Sequence, residues 1–87
     1  MKRWTNIFKI FSNINRVKII KLLTDKRTMM VGDIARELDI SFASTSKHLI
    51  MLDRLDILNS KGVSGHVFYE LNRNMPKDVR RIINIFI

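Results

Sequence analysis

The chain has 87 residues and carries 16 Lys and Arg against eight Asp and Glu, which gives a formal charge of +8. This length suits one small domain covering residues 1–87 and leaves little room for a catalytic cleft. The chain has no cysteine, which excludes disulfides, thiolate metal sites and thiol redox chemistry and fits a cytoplasmic protein. The positive charge favours a polyanionic partner, such as nucleic acid or an anionic membrane surface.

Two helices are predicted at the amino terminus. The first has apolar residues at i, i+3, i+4 and i+7, namely Trp4, Ile7, Phe8 and Phe11. Polar residues interrupt this segment and no small-residue cleavage site follows it, so we interpret it as part of the fold and not as a signal peptide. No apolar run approaches the roughly 18 residues that a membrane span needs. Asn13 is the predicted N-cap of the second helix, which ends at a polar break over residues 24–26.

A helix-turn-helix is predicted in the middle of the chain. A short helix follows the apolar stretch at 29–31, and Ser41 is a suitable N-cap for a longer helix three or four residues after it. A 3.6-residue period divides the longer helix into two faces. The inward face carries Thr45, His48, Leu49 and Leu52, and the outward face carries Ala43, Lys47, Ile50 and Arg54.

A β-hairpin is predicted after the second helix of this motif. Two β-prone arms at 57–61 and 66–71 flank a glycine-containing tip at 62–65. Within the second arm the residues Val67, Tyr69 and Leu71 alternate, as expected for a strand with one buried face.

A final helix is predicted from residue 74 onwards. Asn74 is its expected cap and Pro76 lies in its first turn, where the missing N–H costs nothing. Its apolar residues repeat the i, i+3, i+4, i+7 spacing and are Val79, Ile82, Ile83 and Phe86. The predicted fold class is therefore mainly α with a β-hairpin wing, a winged helix-turn-helix of order α-α-α-α-β-β-α.

The longer helix of the motif has the properties of a DNA-recognition helix. Its first turns are small and polar, whereas its body is apolar and suited to packing on a core, so the tip is free to enter the major groove. Lys47 is long enough to reach guanine or a phosphate, and the loop of the hairpin suits contact with neighbouring phosphates or the minor groove. The predicted base or near-base contacts are Phe42, Ala43, Ser44, Ser46 and Lys47, and the predicted backbone contacts are Arg54, Lys61 and His66.

Four segments resemble, in order and spacing, the ArsR/SmtB family of bacterial winged-helix repressors. They read NRVKIIKLL, VGDIARELDIS, STSKHLIMLDRLDIL and GHVFYELN. The similarity covers about residues 12–72, and its most specific part is S-x-x-x-x-S-K-H-L at 41–49 with the hairpin behind it. The resemblance implies a homodimer whose first and last helices pack together and which binds imperfect inverted repeats at promoters.

The apolar residues of the two terminal helices are the predicted dimer interface. A chain of this size would have difficulty burying all of them by itself, although closing the core of a monomer is the alternative. The predicted interface residues are Trp4, Ile7, Phe8, Phe11, Val79, Ile82, Ile83 and Phe86.

The chain departs from the resembled family at its metal sites and at Phe42. The family's Cys-x-Cys site falls at 29–33, which here reads Met-Met-Val-Gly-Asp, and the last helix offers Asp78 but no histidine for the zinc-type site. We therefore expect no metal and no cofactor. Phe42 replaces a residue that is usually polar, and it either contacts a thymine methyl group or folds back onto the protein.

The predicted function is sequence-specific binding of double-stranded DNA by a homodimeric repressor. No catalytic residues are predicted, because His48 and His66 lie on different elements and Ser46 and His48 point apart on one helix. The alternative is a protein-interaction module that docks a partner through its terminal helices, and a third possibility is an interfacial membrane helix at 1–11. The effector is left open as a small molecule, a partner protein or none, and activation remains an alternative to repression.

Overall fold

The computed structural model describes residues 2–87 and shows a winged helix-turn-helix of five helices and a three-stranded antiparallel sheet. This confirms the predicted fold class. The helices are α1 (Lys2–Phe11), α2 (Ile14–Lys26), α3 (Val31–Leu38), α4 (Phe42–Arg54) and α5 (Lys77–Phe86), and the strands are β1 (Thr28–Met30), β2 (Leu58–Val63) and β3 (His66–Leu71).

The sheet contains one strand more than the sequence predicts. β3 lies in the centre, with β1 and β2 antiparallel on either side of it, so that Met29 and Ser60 both lie opposite Tyr69. β1 was not predicted, because a three-residue strand is too short to show a period of two. It ties the segment before α3 to the wing and so fixes the wing relative to the helix-turn-helix.

Both helices of the helix-turn-helix end in the same backbone motif, at a repeated Leu-Asp-Ile tripeptide. Asp39 and Asp56 adopt positive φ angles of 54° and 61°. The amides of the following isoleucines donate to carbonyls five residues back, Ile40 to Ala35 over 3.1 Å and Ile57 to Leu52 over 3.0 Å. These are Schellman motifs with aspartate in the position that usually holds glycine. The second of these motifs returns the chain to the core, since Ile57 is fully buried.

The core lies where α4 meets α2, α3 and the base of the hairpin. It contains Leu49 and Leu52 from α4, whose side chains are fully buried among residues that include Ile20, Ile34 and Leu58. Truncation of such a side chain to alanine costs about 2–5 kcal/mol. The body of α4 is therefore held firmly by the rest of the domain.

Three local predictions are wrong. The hairpin turn consists of Ser64 and Gly65 alone, both with positive φ as a type I′ turn requires, and β2 continues to Val63. Val67 lies on the same sheet face as Tyr69 but is 45% exposed, because it is close to the turn and beyond the elements that cover Tyr69. Asn74 does not cap α5; the helix begins at Lys77 with Pro76 before it and no side-chain cap, and the Asn74 amide donates to the Asn72 side chain instead.

Candidate nucleic-acid interface

The two faces of α4 are those that the sequence predicts. Thr45, Leu49 and Leu52 are buried, whereas the outward row is exposed along its whole length. That row consists of Ala43, Lys47, Ile50 and Arg54. Since a helix rises about 1.5 Å per residue, Arg54 lies roughly 18 Å from Phe42 along the helix axis. The structure therefore keeps Arg54 on the predicted face but away from the amino-terminal tip.

The tip of α4 is fixed by hydroxyl groups. The Ser41 side chain accepts a hydrogen bond from the Ser44 amide over 3.0 Å, which confirms Ser41 as the N-cap. The hydroxyl of buried Thr45 donates to the Ser41 carbonyl over 2.8 Å. Ser44 and Ser46 are half-buried beside the exposed Ala43. The first turn is thus narrow and rigid, which permits close approach to a groove floor.

Phe42 does not join the core. Its side chain is 62% exposed, which excludes a place in the core, and its contact with a thymine methyl group stays a prediction. It lies at a cleft of about 340 Å³ between the start of α3, the start of α4 and the wing, where Met30, His66 and Val67 are among the lining residues. The apolar groups of the wing and of the recognition helix therefore face the same space.

The two predicted wing contacts lie together on the outer face of the sheet. Lys61 pairs with Phe68 and Val63 pairs with His66, so Lys61 and His66 share the face opposite to Tyr69. Both side chains are exposed. The structure thus brings the tip of α4 and the tip of the hairpin to the same end of the molecule, with a cation on each.

A guanidinium group links α4 to the first two helices. Arg16 Nε donates to Nδ1 of His48 over 3.3 Å, and Arg16 Nη1 donates to the carbonyl of Lys9 over 2.9 Å. Because Nδ1 accepts this bond, the His48 ring is neutral with its proton on Nε2. Burial and the adjacent Arg16 charge lower the pKa of His48 below its usual value. His48 is therefore a hydrogen-bonded structural residue, on the inward face where the sequence analysis placed it.

The role of Arg16 is a functional feature that sequence reasoning missed. Asn13 caps α2 as predicted, through bonds to the amides of Asn15 and Arg16, and this places Arg16 in the first turn of α2. No pattern in the sequence relates Arg16 to a histidine 32 residues later. Only the packing of α2 against α4 brings the two side chains together.

The predicted dimer residues divide into an inner and an outer set. Ile7, Val79 and Ile83 lie in the core of the domain with at most 5% of their surface exposed. The prediction that they form an interface surface is therefore wrong for Val79 and Ile83, whereas Ile7 also lines the groove between the two terminal helices. The outer set surrounds a groove of about 370 Å³ between the two helices and consists of Trp4, Phe8, Phe11, Ile82 and Phe86.

The outer set includes three large exposed side chains. Trp4, Phe8 and Phe86 are 48%, 69% and 78% exposed, and the Trp4 and Phe8 rings lie 6.4 Å apart between centroids. Such a contiguous aromatic surface is characteristic of a site that another apolar surface covers.

Within residues 2–87, no cluster of three or more His, Asp or Glu side chains could hold a metal ion.

No helix in the part of the chain that the structure describes has the length and apolarity to cross a membrane.

Comparisons with known proteins agree on one family. The model of the family described as "Bacterial regulatory protein, arsR family" matches residues 13–60. The cadmium resistance transcriptional regulatory protein CadC of Listeria innocua is 38% identical over 65 residues, which cover 75% of this chain and 55% of that protein. This chain therefore spans about half the length of that relative.

Two further relatives match over most of their length. The transcriptional repressor SdpR of Bacillus subtilis is 34% identical over 73 residues, which cover 84% of this chain and 80% of that protein. The solved structure of HlyU from Vibrio cholerae superposes with a TM-score of 0.79 at 26% identity, over 97% of this chain and 87% of that chain.

The Arg16–His48 bond predicts how stability depends on pH. The folded state favours neutral His48, so the unfolded chain binds a proton that the folded chain excludes. This stabilisation is fully present above the usual pKa of 6.5 and is lost as the pH falls through the lowered pKa of the folded state. Urea unfolding from about pH 7.5 to about pH 5 should show a decrease in the free energy of unfolding that is smaller in His48→Asn. Equal slopes for the wild type and His48→Asn would contradict the assignment.

Proposed function

The chain belongs to the arsR family of bacterial regulatory proteins, and from this premise we propose that it is a homodimeric transcription regulator that binds an inverted-repeat operator in double-stranded DNA. The observation that carries the proposal is the shared placement of two features at one end of the domain. The exposed tip of α4, with Phe42 and Lys47, lies beside a wing that carries Lys61 and His66. A firmly packed helix body with a free tip is what major-groove reading requires.

Each predicted contact has a role that its position supports. Ala43, Ser44 and Ser46 form the narrow first turns that approach the base edges, and Lys47 donates to guanine or to a phosphate. Lys61 and His66 lie against the DNA backbone next to the base-reading groove, and Arg54 binds a phosphate farther along the helix. The residues of α4 thus recognise the base sequence, and those of the wing add affinity for the DNA backbone.

The second half of the operator is read by a second copy of the chain. The aromatic groove between α1 and α5 is the proposed dimer interface, with Trp4, Phe8 and Phe86 at its centre. Two recognition helices related by this interface would enter successive major grooves about 34 Å apart. The protein would act in the cytoplasm, where its DNA is.

The direction of regulation follows from where the operator lies. A small dimer of this kind represses when it covers a promoter, which is the activity we propose. Among the relatives, SdpR is named as a repressor and HlyU of Vibrio cholerae as an activator. The cadmium in the name of CadC would find no thiolate ligand in this chain, which contains no cysteine.

A protein-interaction module is the second candidate function, and Ile50 favours it. This side chain is 41% exposed on the outward face of α4, beside a shallow groove that Met51 and Leu55 also line. Apolar docking and phosphate binding differ in their response to salt, since only the latter weakens steeply with ionic strength.

The test of the proposed function is selection of bound DNA from a random duplex pool, followed by affinity measurement on the selected site. We expect an enriched inverted repeat, and we expect Lys47→Ala to weaken binding to it by more than about 1 kcal/mol, or about fivefold. Exposed Lys18→Ala on α2 is the matched control and should bind as the wild type does. A pool without enrichment, or apolar binding that salt does not weaken, would favour the interaction module.

Phe42 is expected to contact the methyl group of a thymine, the one apolar group on the base edges of the major groove. Replacing each thymine of the selected operator by deoxyuridine removes that methyl and nothing else. At one critical position the wild type should lose about fourfold in affinity, close to the value of one buried methylene group. Phe42→Ala should bind both duplexes equally weakly, whereas Ile14→Ala, which removes an exposed apolar side chain from α2, should keep the preference. Equal wild-type affinity for all the duplexes would contradict the contact.

Phe8→Asp is expected to convert the dimer into a monomer. A carboxylate in an apolar interface loses its hydration without gaining a partner, at a cost of about 2 kcal/mol or more. Sedimentation velocity measures the mass directly, and Ile50→Asp, an equal change on the DNA-facing helix, should remain dimeric. A wild-type monomer, or a Phe8→Asp dimer, would show that this groove is not the interface.

A further inference from the structure

A second basic surface lies on α5, on the opposite side of that helix from its apolar residues. Lys77, Arg80, Arg81 and Asn84 follow the spacing i, i+3, i+4 and i+7. Val79 and Ile83 occupy the other face and are buried in the core. The apolar periodicity of this helix therefore has a polar counterpart, which the sequence analysis did not recognise.

These cations line a single groove of about 570 Å³ together with Arg73 from the segment after β3. Two amides, Asn74 and Asn84, also line it, and none of the eight described residues around the groove is acidic. A volume of this size is within the range of sites for small molecules. The groove therefore offers four positive charges and two neutral donors within the space that one small ligand occupies.

One of the four cations is held in place by the backbone. Arg80 Nη2 donates to the carbonyls of Asn72 and Arg73 over 3.3 and 3.4 Å. These bonds hold its guanidinium next to the turn that carries Arg73, although both side chains are positive. Side chains that are already ordered lose less conformational freedom when a ligand binds.

The arrangement is electrostatically unfavourable without an anion. Like charges at i, i+3 and i, i+4 destabilise a helix by a few tenths of a kcal/mol per pair. In addition, Lys77 lies in the first turn of α5, where the helix dipole disfavours cations. An anionic ligand in the groove would relieve both effects.

The groove is remote from the proposed DNA-binding end. β3 runs from His66 at the wing tip to Leu71, which precedes the groove. Six residues of strand separate the two ends by roughly 17 Å. DNA that contacts the tip of α4 and the wing would therefore not occupy this groove.

We propose that the groove is a binding site for a small molecule that carries two or more phosphate groups. Guanidinium groups match the paired oxygens of phosphate, and several of them in one groove favour a ligand with closely spaced charges. The asparagine amides and the side chain of Ile85 lie beside the cations and contact the non-phosphate part of such a ligand.

The test is calorimetric titration of the full chain with inorganic pyrophosphate at constant ionic strength. We expect one saturable site per chain, and we expect Arg73→Ala/Arg81→Ala to weaken it by about tenfold or more. Lys18→Ala/Lys26→Ala also removes two positive charges, but from α2, and its affinity for pyrophosphate should be within about twofold of that of the wild type. Lys47→Ala/Lys61→Ala should also retain pyrophosphate binding, and it separates this site from the DNA-binding end. Lys77→Gln provides a second groove variant if the double variant does not fold.

Four outcomes would overturn the proposal. They are no saturable binding, an equal loss in all three double variants, a loss confined to Lys47→Ala/Lys61→Ala, and equal affinity for inorganic phosphate and pyrophosphate. The selected operator provides an independent readout, because its affinity should be unchanged in Arg73→Ala/Arg81→Ala. If Arg73→Ala/Arg81→Ala instead lost affinity for a long duplex, DNA would be identified as the occupant of the groove and the proposal would be overturned. Failure of the phosphate site leaves operator binding intact, so the two proposals can fail separately.

Discussion

The structure depends on the burial of one side of α4. Leu49 and Leu52 are fully buried, and the hydroxyl of buried Thr45 donates a hydrogen bond to the Ser41 carbonyl. The body of the helix therefore cannot move without opening the core. Because the later turns of α4 make the core contacts, its first turns need no large apolar side chains for packing and can carry small ones. A recognition helix needs both halves, because a tip that reads base edges is useful only if its position is fixed by the body behind it.

The ends of the two helix-turn-helix helices extend the same constraint to the backbone. The Schellman motifs at Asp39 and Asp56 each turn the chain, and the second places Ile57 in the core. The first sets the angle between α3 and α4, and the second directs the chain into β2. Arg16 adds a third restraint, since its guanidinium bonds to α4 through His48 and to α1 through the Lys9 carbonyl. The proposed dimer helix α1 and the recognition helix thus share one side chain as a common neighbour.

Much of this fold could be predicted from local patterns, because periodicity and capping are local properties. The faces of α4, the Asn13 and Ser41 caps and the existence of the hairpin follow from residues within a few positions of each other. What could not be predicted depends on distant contacts. β1 exists because β3 offers it an edge, Val67 is exposed because it lies near the turn of the hairpin, and Ile7 is buried because residues of α2 and α5 belong to the same core cluster. Residue types at the site were predictable, but the exposure of Phe42 and the Arg16–His48 bond were not.

The distribution of charge also requires the three-dimensional structure. A total of +8 is compatible with a uniformly basic surface, yet the fold places Lys47 and Lys61 at one end and the α5 groove beyond the other end of β3. The first group is open and lies beside rigid reading elements, which suits an extended polymer. The second is concave and small, and it contains cations that repel each other, which suits a compact anion. DNA and a small phosphate ligand would compete for a single basic surface. With the charges separated, the two proposed sites can be occupied at once.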